Sequence, residues 1–160
     1  MTKFQCIPVA KETVDRFRRT GLDDQGNQIR RVVATSSGSF PCRHCLQLAK
    51  SGEAMLLGSY NLPQPIGIYW TPSPIFLHEK ECLCGEIVND VAPIVRANSL
   101  VSVRAYDADH LCLYDLGHVC PGDVVDGPLA RALSDPRTEF VNLHTARPGC
   151  LLSLVRRIPS

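Results

Sequence analysis

Apolar positions along the chain fall in short runs broken by polar turns, some with the two-residue period of a strand and some with a helical period. Residues 4–9 predict a short edge strand, because Pro8 has no N–H to give a central ladder. Residues 11–20 predict a helix: Val14 and Phe17 share one face, charges cover the rest, and Gly21 stands where a helix stop favours a left-handed residue. A turn at 23–27, a strand at 29–35 and a polar loop at 36–39 follow. Residues 41–49 predict a short helix ended by Ser51-Gly52, and residues 54–60 a strand. Residues 61–74 carry Pro63, Pro65, Pro72 and Pro74 with no period, so they predict a long irregular loop of the kind that often serves function.

The second half is patterned more clearly. Residues 75–78 predict a brief buried strand, and residues 90–97 a helix with Pro93 in its first turn. Two strands, 100–107 and 111–119, flank the hairpin signal Asp107-Ala108-Asp109-His110. A helix at 123–134 with Val124, Leu129 and Leu133 apolar precedes a second strand pair, 139–145 and 150–158, around Arg147-Pro148-Gly149. Short turns between adjacent strands imply an α+β fold, a mainly antiparallel sheet with a few packed helices. Residues 1–160 read as one globular domain with no internal boundary.

Charge and targeting signals narrow the partners. A net charge of +1 creates no global field, and the pairs Arg18-Arg19, Arg30-Arg31 and Arg156-Arg157 are scattered rather than striped. Neither nucleic acid nor a membrane is expected as a partner. The start, Met1-Thr2-Lys3-Phe4-Gln5-Cys6, has no apolar leader, and the run at 150–155 is too short for a bilayer, so the expected location is cytoplasmic. In that compartment the eight cysteines are expected as reduced thiols unless they bind metal or do redox chemistry. Cys6 and Cys112 read as small buried apolar residues.

Cys42-Arg43-His44-Cys45 is the sharpest motif, because its spacing lets two thiolates converge on one ion as half of a tetrahedral zinc site. His78 and Cys82, four apart after a strand, can supply the other half, with Cys84 in reserve. Two other readings stay open. A CxxC opening a helix sits at the positive end of the dipole, which favours thiolate and a thiol oxidoreductase using Cys42 and Cys45. Alternatively both are buried thiols on a helix that plugs the core.

A second constellation is polar. Arg104 and Tyr106 share a strand face, Tyr114 and Asp115 lie on the pairing strand, and Arg147 sits in a turn. If Arg104 and Arg147 converge near the proline-rich loop, their guanidinium forks make an anion or carboxylate pocket lined by Tyr106 and Asp115. The structural alternative pairs those arginines with Asp107 and Asp115. Ser36-Ser37-Gly38-Ser39 reads as a helix cap, lacking the lysine of a phosphate loop.

Three segments also carry a resemblance. They are Phe40-Pro41-Cys42-Arg43-His44-Cys45-Leu46; Pro74-Ile75-Phe76-Leu77-His78 with Cys82; and Arg104-Ala105-Tyr106-Asp107 with Ala146-Arg147-Pro148-Gly149-Cys150. In order and spacing the chain resembles a bacterial family known as domain of unknown function twelve hundred and three. Where that family's pattern carries asparagine before the Ala-Arg pair, this chain has Thr145. The resemblance supplies no activity. The expectation is therefore a small binding or interaction domain with a structural zinc site; the alternatives are the thiol oxidoreductase and a small-anion binding protein or enzyme using Arg104 and Arg147.

Overall fold

The computed structural model describes residues 1–35 and 40–160, so the loop expected at 36–39 lies outside the described residues. Strands β1 (Phe4–Ile7), β5 (Ile87–Val88), β6 (Val101–Tyr106), β7 (His118–Cys120), β8 (Phe140–Thr145) and β9 (Leu151–Arg157) form one sheet. Its order is β5-β1-β9-β8-β6-β7. A second sheet joins β2 (Arg30–Val33), β3 (Ala54–Asn61) and β4 (Pro72–His78) in sequence order. Every strand pair is antiparallel. The helices are α1 (Lys11–Thr20), α2 (Pro93–Arg96) and α3 (Asp126–Ser134), giving an α+β protein built mainly of sheet.

Side-chain alternation decides how these pieces pack. On β6, Val101, Val103 and Ala105 are buried toward α2 and α3, while Ser102 and Arg104 are half-exposed on the other face. Ile94, Leu129 and Leu133 complete this larger core. A smaller core lies between α1 and the second sheet, where Val14 and Phe17 meet Met55, Ile75 and Leu77. Gly21 ends α1 at φ 67°, its N–H returning to Phe17 O at 3.0 Å, a conformation that costs a side chain strain. Side-chain bonds tie the two sheets together: Leu151 N–H donates to Ser73 Oγ at 2.8 Å, and Arg43 Nε to Leu151 O at 2.7 Å.

Several elements differ from expectation. β1 is not an edge, because β5 pairs with it, Ile87 opposite Cys6 and Val88 opposite Gln5, and Pro8 falls just beyond the ladder. The expected 61–74 loop is shorter, since Pro72 already begins β4 opposite Asn61. Residues 111–119 are not one strand: only His118–Cys120 pairs with β6, Cys112 makes a single bridge to Tyr106, and Tyr114–Leu116 forms a 3₁₀ turn. Tyr114 and Asp115 are therefore on that turn and not on a pairing strand. The helix expected at 41–49 is absent. Pro41 bridges Leu48, Cys42 bridges Phe76, and Leu46 adopts φ 63°, which no helix accommodates.

Candidate metal centre

A tight turn built from the CxxC segment replaces that helix. Cys42 N–H donates to Gln47 O and Leu46 N–H to Cys42 O, both at 3.0 Å, so the chain folds back over Arg43-His44-Cys45. Arg43 N–H donates to Phe76 O at 3.0 Å, docking the turn against the end of β4. The strand's last residue, His78, points its own N–H at Cys42 Sγ from 3.4 Å. After Cys82 the chain returns, and Gly85 N–H donates to His44 O at 2.9 Å. Only glycine fits there: a Cβ would lie 2.7 Å from Cys45 O and 2.8 Å from Leu46 Cγ.

These contacts gather four ligand atoms. The sulfurs of Cys42, Cys45 and Cys82 and a ring nitrogen of His78 all lie within 4.8 Å of one another. Cys45 Sγ is 3.5 Å from His78 Nδ1, and Cys42 Sγ is 3.9 Å from Cys82 Sγ. An ion about 2.3 Å from sulfur and 2.0 Å from nitrogen at tetrahedral angles requires sulfur–sulfur separations of about 3.8 Å and sulfur–nitrogen separations of about 3.5 Å. The two measured pairs match. The cluster can hold a metal ion, with Cys42, Cys45 and His78 buried and Cys82 half-exposed.

The surroundings suit such a set. His78 Nε2, the nitrogen turned away from the sulfurs, lies 3.3 Å from Glu53 Oε2. A carboxylate there fixes the ring's orientation and raises its basicity as a ligand. Arg18 of α1 donates to His78 O from Nη2 at 3.0 Å and to Lys80 O at 2.7 Å, and its Nη2 lies 4.0 Å from Cys82 Sγ. The same side chain thus fixes the 78–82 bend and leaves positive charge beside the Cys82 sulfur.

Protonation follows from these contacts. Cys42 is driven well below the usual thiol range, because Cys45, then Cys82, donates a hydrogen bond to its sulfur. Cys45 moves up for the complementary reason, its proton being held by Cys42. His78 is pushed up to about 10 by its hydrogen bonds to Cys42 and then Cys82, against the opposing pull of burial. Anionic sulfur and an ionised ring are the charges a divalent cation displaces or neutralises.

The other nominated residues bond to separate partners, although Arg104 Nη2 reaches the turn at Gly149, where an added Cβ would lie 3.8 Å from it. Arg104 Nε donates to Ser102 Oγ at 3.2 Å, and Arg147 Nη1 to Ser99 Oγ at 3.0 Å. Asp115 pairs with Arg137 at 2.7 Å, whose guanidinium holds its carboxyl below the usual range. Tyr106 is buried and stacks on Phe140. Among the described residues no hydrogen bond or ion pair links Arg104, Asp115 and Arg147 to one another. Asp107 accepts from the N–H groups of Asp109 and Leu111 at 2.9 Å instead of pairing with an arginine. The thiol-redox alternative loses its helix dipole, since no helix begins at Cys42, and all eight cysteines are free.

Glu53, Arg18 and Arg43 were missed by the sequence reading. Strand register was the missing signal for Glu53: Met55 pairs with His78, which carries the preceding glutamate to the ring's far side. Arg43 is a cation only 3 % exposed inside the motif itself, and burial pulls its guanidinium down to about 10, so it remains charged near neutrality.

Among the described residues, two antiparallel sheets, three short helices and a Cys3His cluster at the end of a strand define an α+β protein that could hold a metal ion. The chain belongs to the family described as protein of unknown function (DUF1203), whose model matches residues 39–157. That span includes all four cluster residues, whereas α1 and Arg18 precede it. No curated protein and no solved structure matches the chain. Among the described residues no helix is long and apolar enough to cross a membrane.

Proposed function

We propose that this is a small binding or interaction domain whose Cys42, Cys45, His78 and Cys82 hold a structural zinc ion. The observation that carries the reading is that the four ligand atoms lie within 4.8 Å of one another, with Cys45 Sγ 3.5 Å from His78 Nδ1 and Cys42 Sγ 3.9 Å from Cys82 Sγ. Three thiolates and an imidazole are borderline-soft ligands of the kind that favour zinc over magnesium or calcium. Four protein ligands also close the tetrahedron and leave no position for substrate, which favours a structural over a catalytic role. The carboxylate of Glu53 behind His78 supports the same assignment.

Metal analysis of protein purified without added zinc tests this directly. About one zinc per chain is expected, falling below a tenth of that in a Cys42→Ser, Cys45→Ser double variant. Chelation should lower the melting temperature by on the order of 10 °C, reversibly on zinc return, because binding free energy is also folding free energy. Cobalt substitution should give the spectrum of a tetrahedral thiolate site. Zinc-free protein with unchanged stability in chelator overturns the proposal.

A further inference from the structure

We propose that the cleft between the 41–43 segment and the 145–150 turn binds a small organic carboxylate through Arg43, independently of the metal reading. The cleft measures about 410 Å³, and Arg43, Phe76, Ser99, Thr145, Pro148 and Cys150 are among its walls. No acidic side chain lines it.

Arg43 is the reason for expecting an anion. Its side chain is buried at 3 % exposure, and among the described residues no carboxylate lies within ion-pair distance of it. The anionic Cys42 sulfur in the same turn offsets part of the cost of burying this charge, and no carboxylate completes it, so the position favours a further anion. The guanidinium is held rigidly: Nε donates to Leu151 O and Nη1 to Pro41 O, both at 2.7 Å. Those bonds engage only part of the donor fork, and Nη2 has no protein partner among the described residues.

The remaining walls add donors and an apolar surface. Thr145 Oγ1 accepts the Cys150 N–H at 2.9 Å, and Ser99 Oγ accepts from Arg147 at 3.0 Å. Each hydroxyl therefore keeps its own proton to donate. Arg147 adds a second positive charge beside Ser99. Pro41, Phe76 and Pro148 supply an apolar wall that a bare inorganic anion would leave unused. A planar carboxylate matches the open edge of a guanidinium, and its hydrocarbon part matches that wall. Arg43 lies between two of the cluster cysteines, so the turn that gathers the sulfurs also aims this side chain.

The test uses the full chain as purified, with sodium benzoate and sodium butyrate as probes at constant ionic strength. Inorganic phosphate and phenyl phosphate are the comparators. Binding is followed by backbone amide shifts and by the alkylation rate of Cys150, read peptide by peptide with mass spectrometry. Benzoate is expected to bind with Kd below about 1 mM, to shift the amides of residues 42–43, 98–99, 145–147 and 149–150, and to slow Cys150 alkylation. Alkylation of the exposed Cys84 should not change. Arg43→Gln should weaken binding at least tenfold. Because that variant loses two bonds that hold the fold, Ser99→Ala and Thr145→Val are measured as well, each expected to weaken binding about threefold. Phosphate or phenyl phosphate binding more tightly than both carboxylates overturns the proposal. So does carboxylate binding that leaves Cys150 unprotected, affinity unchanged in both hydroxyl variants, or no binding at all.

Discussion

His78 and Glu53 show how one neighbour tunes a ligand. Glu53 Oε2 sits 3.3 Å from His78 Nε2, opposite the nitrogen that faces the sulfurs. Glu53→Gln should lower zinc affinity roughly 10- to 100-fold while leaving stoichiometry intact, measured by competition with a chromophoric chelator. His144 offers a residue-scale test of a different kind. Its Nδ1 faces Gly149 O at 2.9 Å and so carries the proton, while Nε2 is buried with no protein partner. Desolvation, then the nearby Arg104 guanidinium, hold its pKa down to about 4 against an ordinary 6.5. The folded value lies below the unfolded one, so the unfolded chain binds the extra proton. The stability from neutral His144 is therefore complete above pH 6.5 and is lost as pH falls toward 4. Between pH 7 and 4.5 the loss should be about 2–3 kcal/mol. Urea unfolding of His144→Gln beside the parent should show a correspondingly smaller acid sensitivity, which separates this group from acid release of metal.

At the scale of elements, the CxxC turn is where local pattern and final structure part. Cys42, Cys45, Leu46 and Ala49 stand at helical spacing and are all buried, which is why the segment reads as a helix. What buries them is a folded-back turn, with Leu46 at φ 63° and amides bonded across the turn and to β4. Its outer wall is Gly85, where an added Cβ would meet Cys45 O at 2.7 Å. Gly85→Ala should destabilise the protein by about 1–3 kcal/mol and weaken metal binding in parallel. Thermal unfolding with and without zinc checks this, and a variant with parental stability and affinity would contradict the packing account.

For the whole molecule, the four cluster residues belong to one side of the fold. Cys42 and Cys45 are part of the core shared by α1 and the β2–β3–β4 sheet, and Cys82 packs against it. His78 ends β4, whereas the core under α2 and α3 contains none of the four. Removing metal should therefore loosen the smaller sheet first. Hydrogen exchange in chelator is expected to lose protection in α1 and β2–β4 while β6, β8 and β9 stay protected. Uniform loss would mean that the centre stabilises both sheets as one cooperative unit.

The amino-acid sequence alone determined the local facts: the α+β class, the two-residue alternation of β6, the α1 face of Val14 and Phe17 with Gly21 after it, and the ligand types at 42, 45, 78 and 82. These are legible because strand alternation, helix stops and thiol spacing depend on neighbours only a few positions away. Tertiary structure decided the rest. Pairing of Met55 with His78 set Glu53 behind the ring, and docking of residues 41–43 on β4 turned a helical pattern into a metal-binding turn. The short strand at 87–88 made β1 an interior strand, and the arginines of the expected anion pocket went to Ser102 and Ser99. Each of these depends on contacts between residues far apart in sequence, and no local period records which distant partner a strand or a guanidinium will meet.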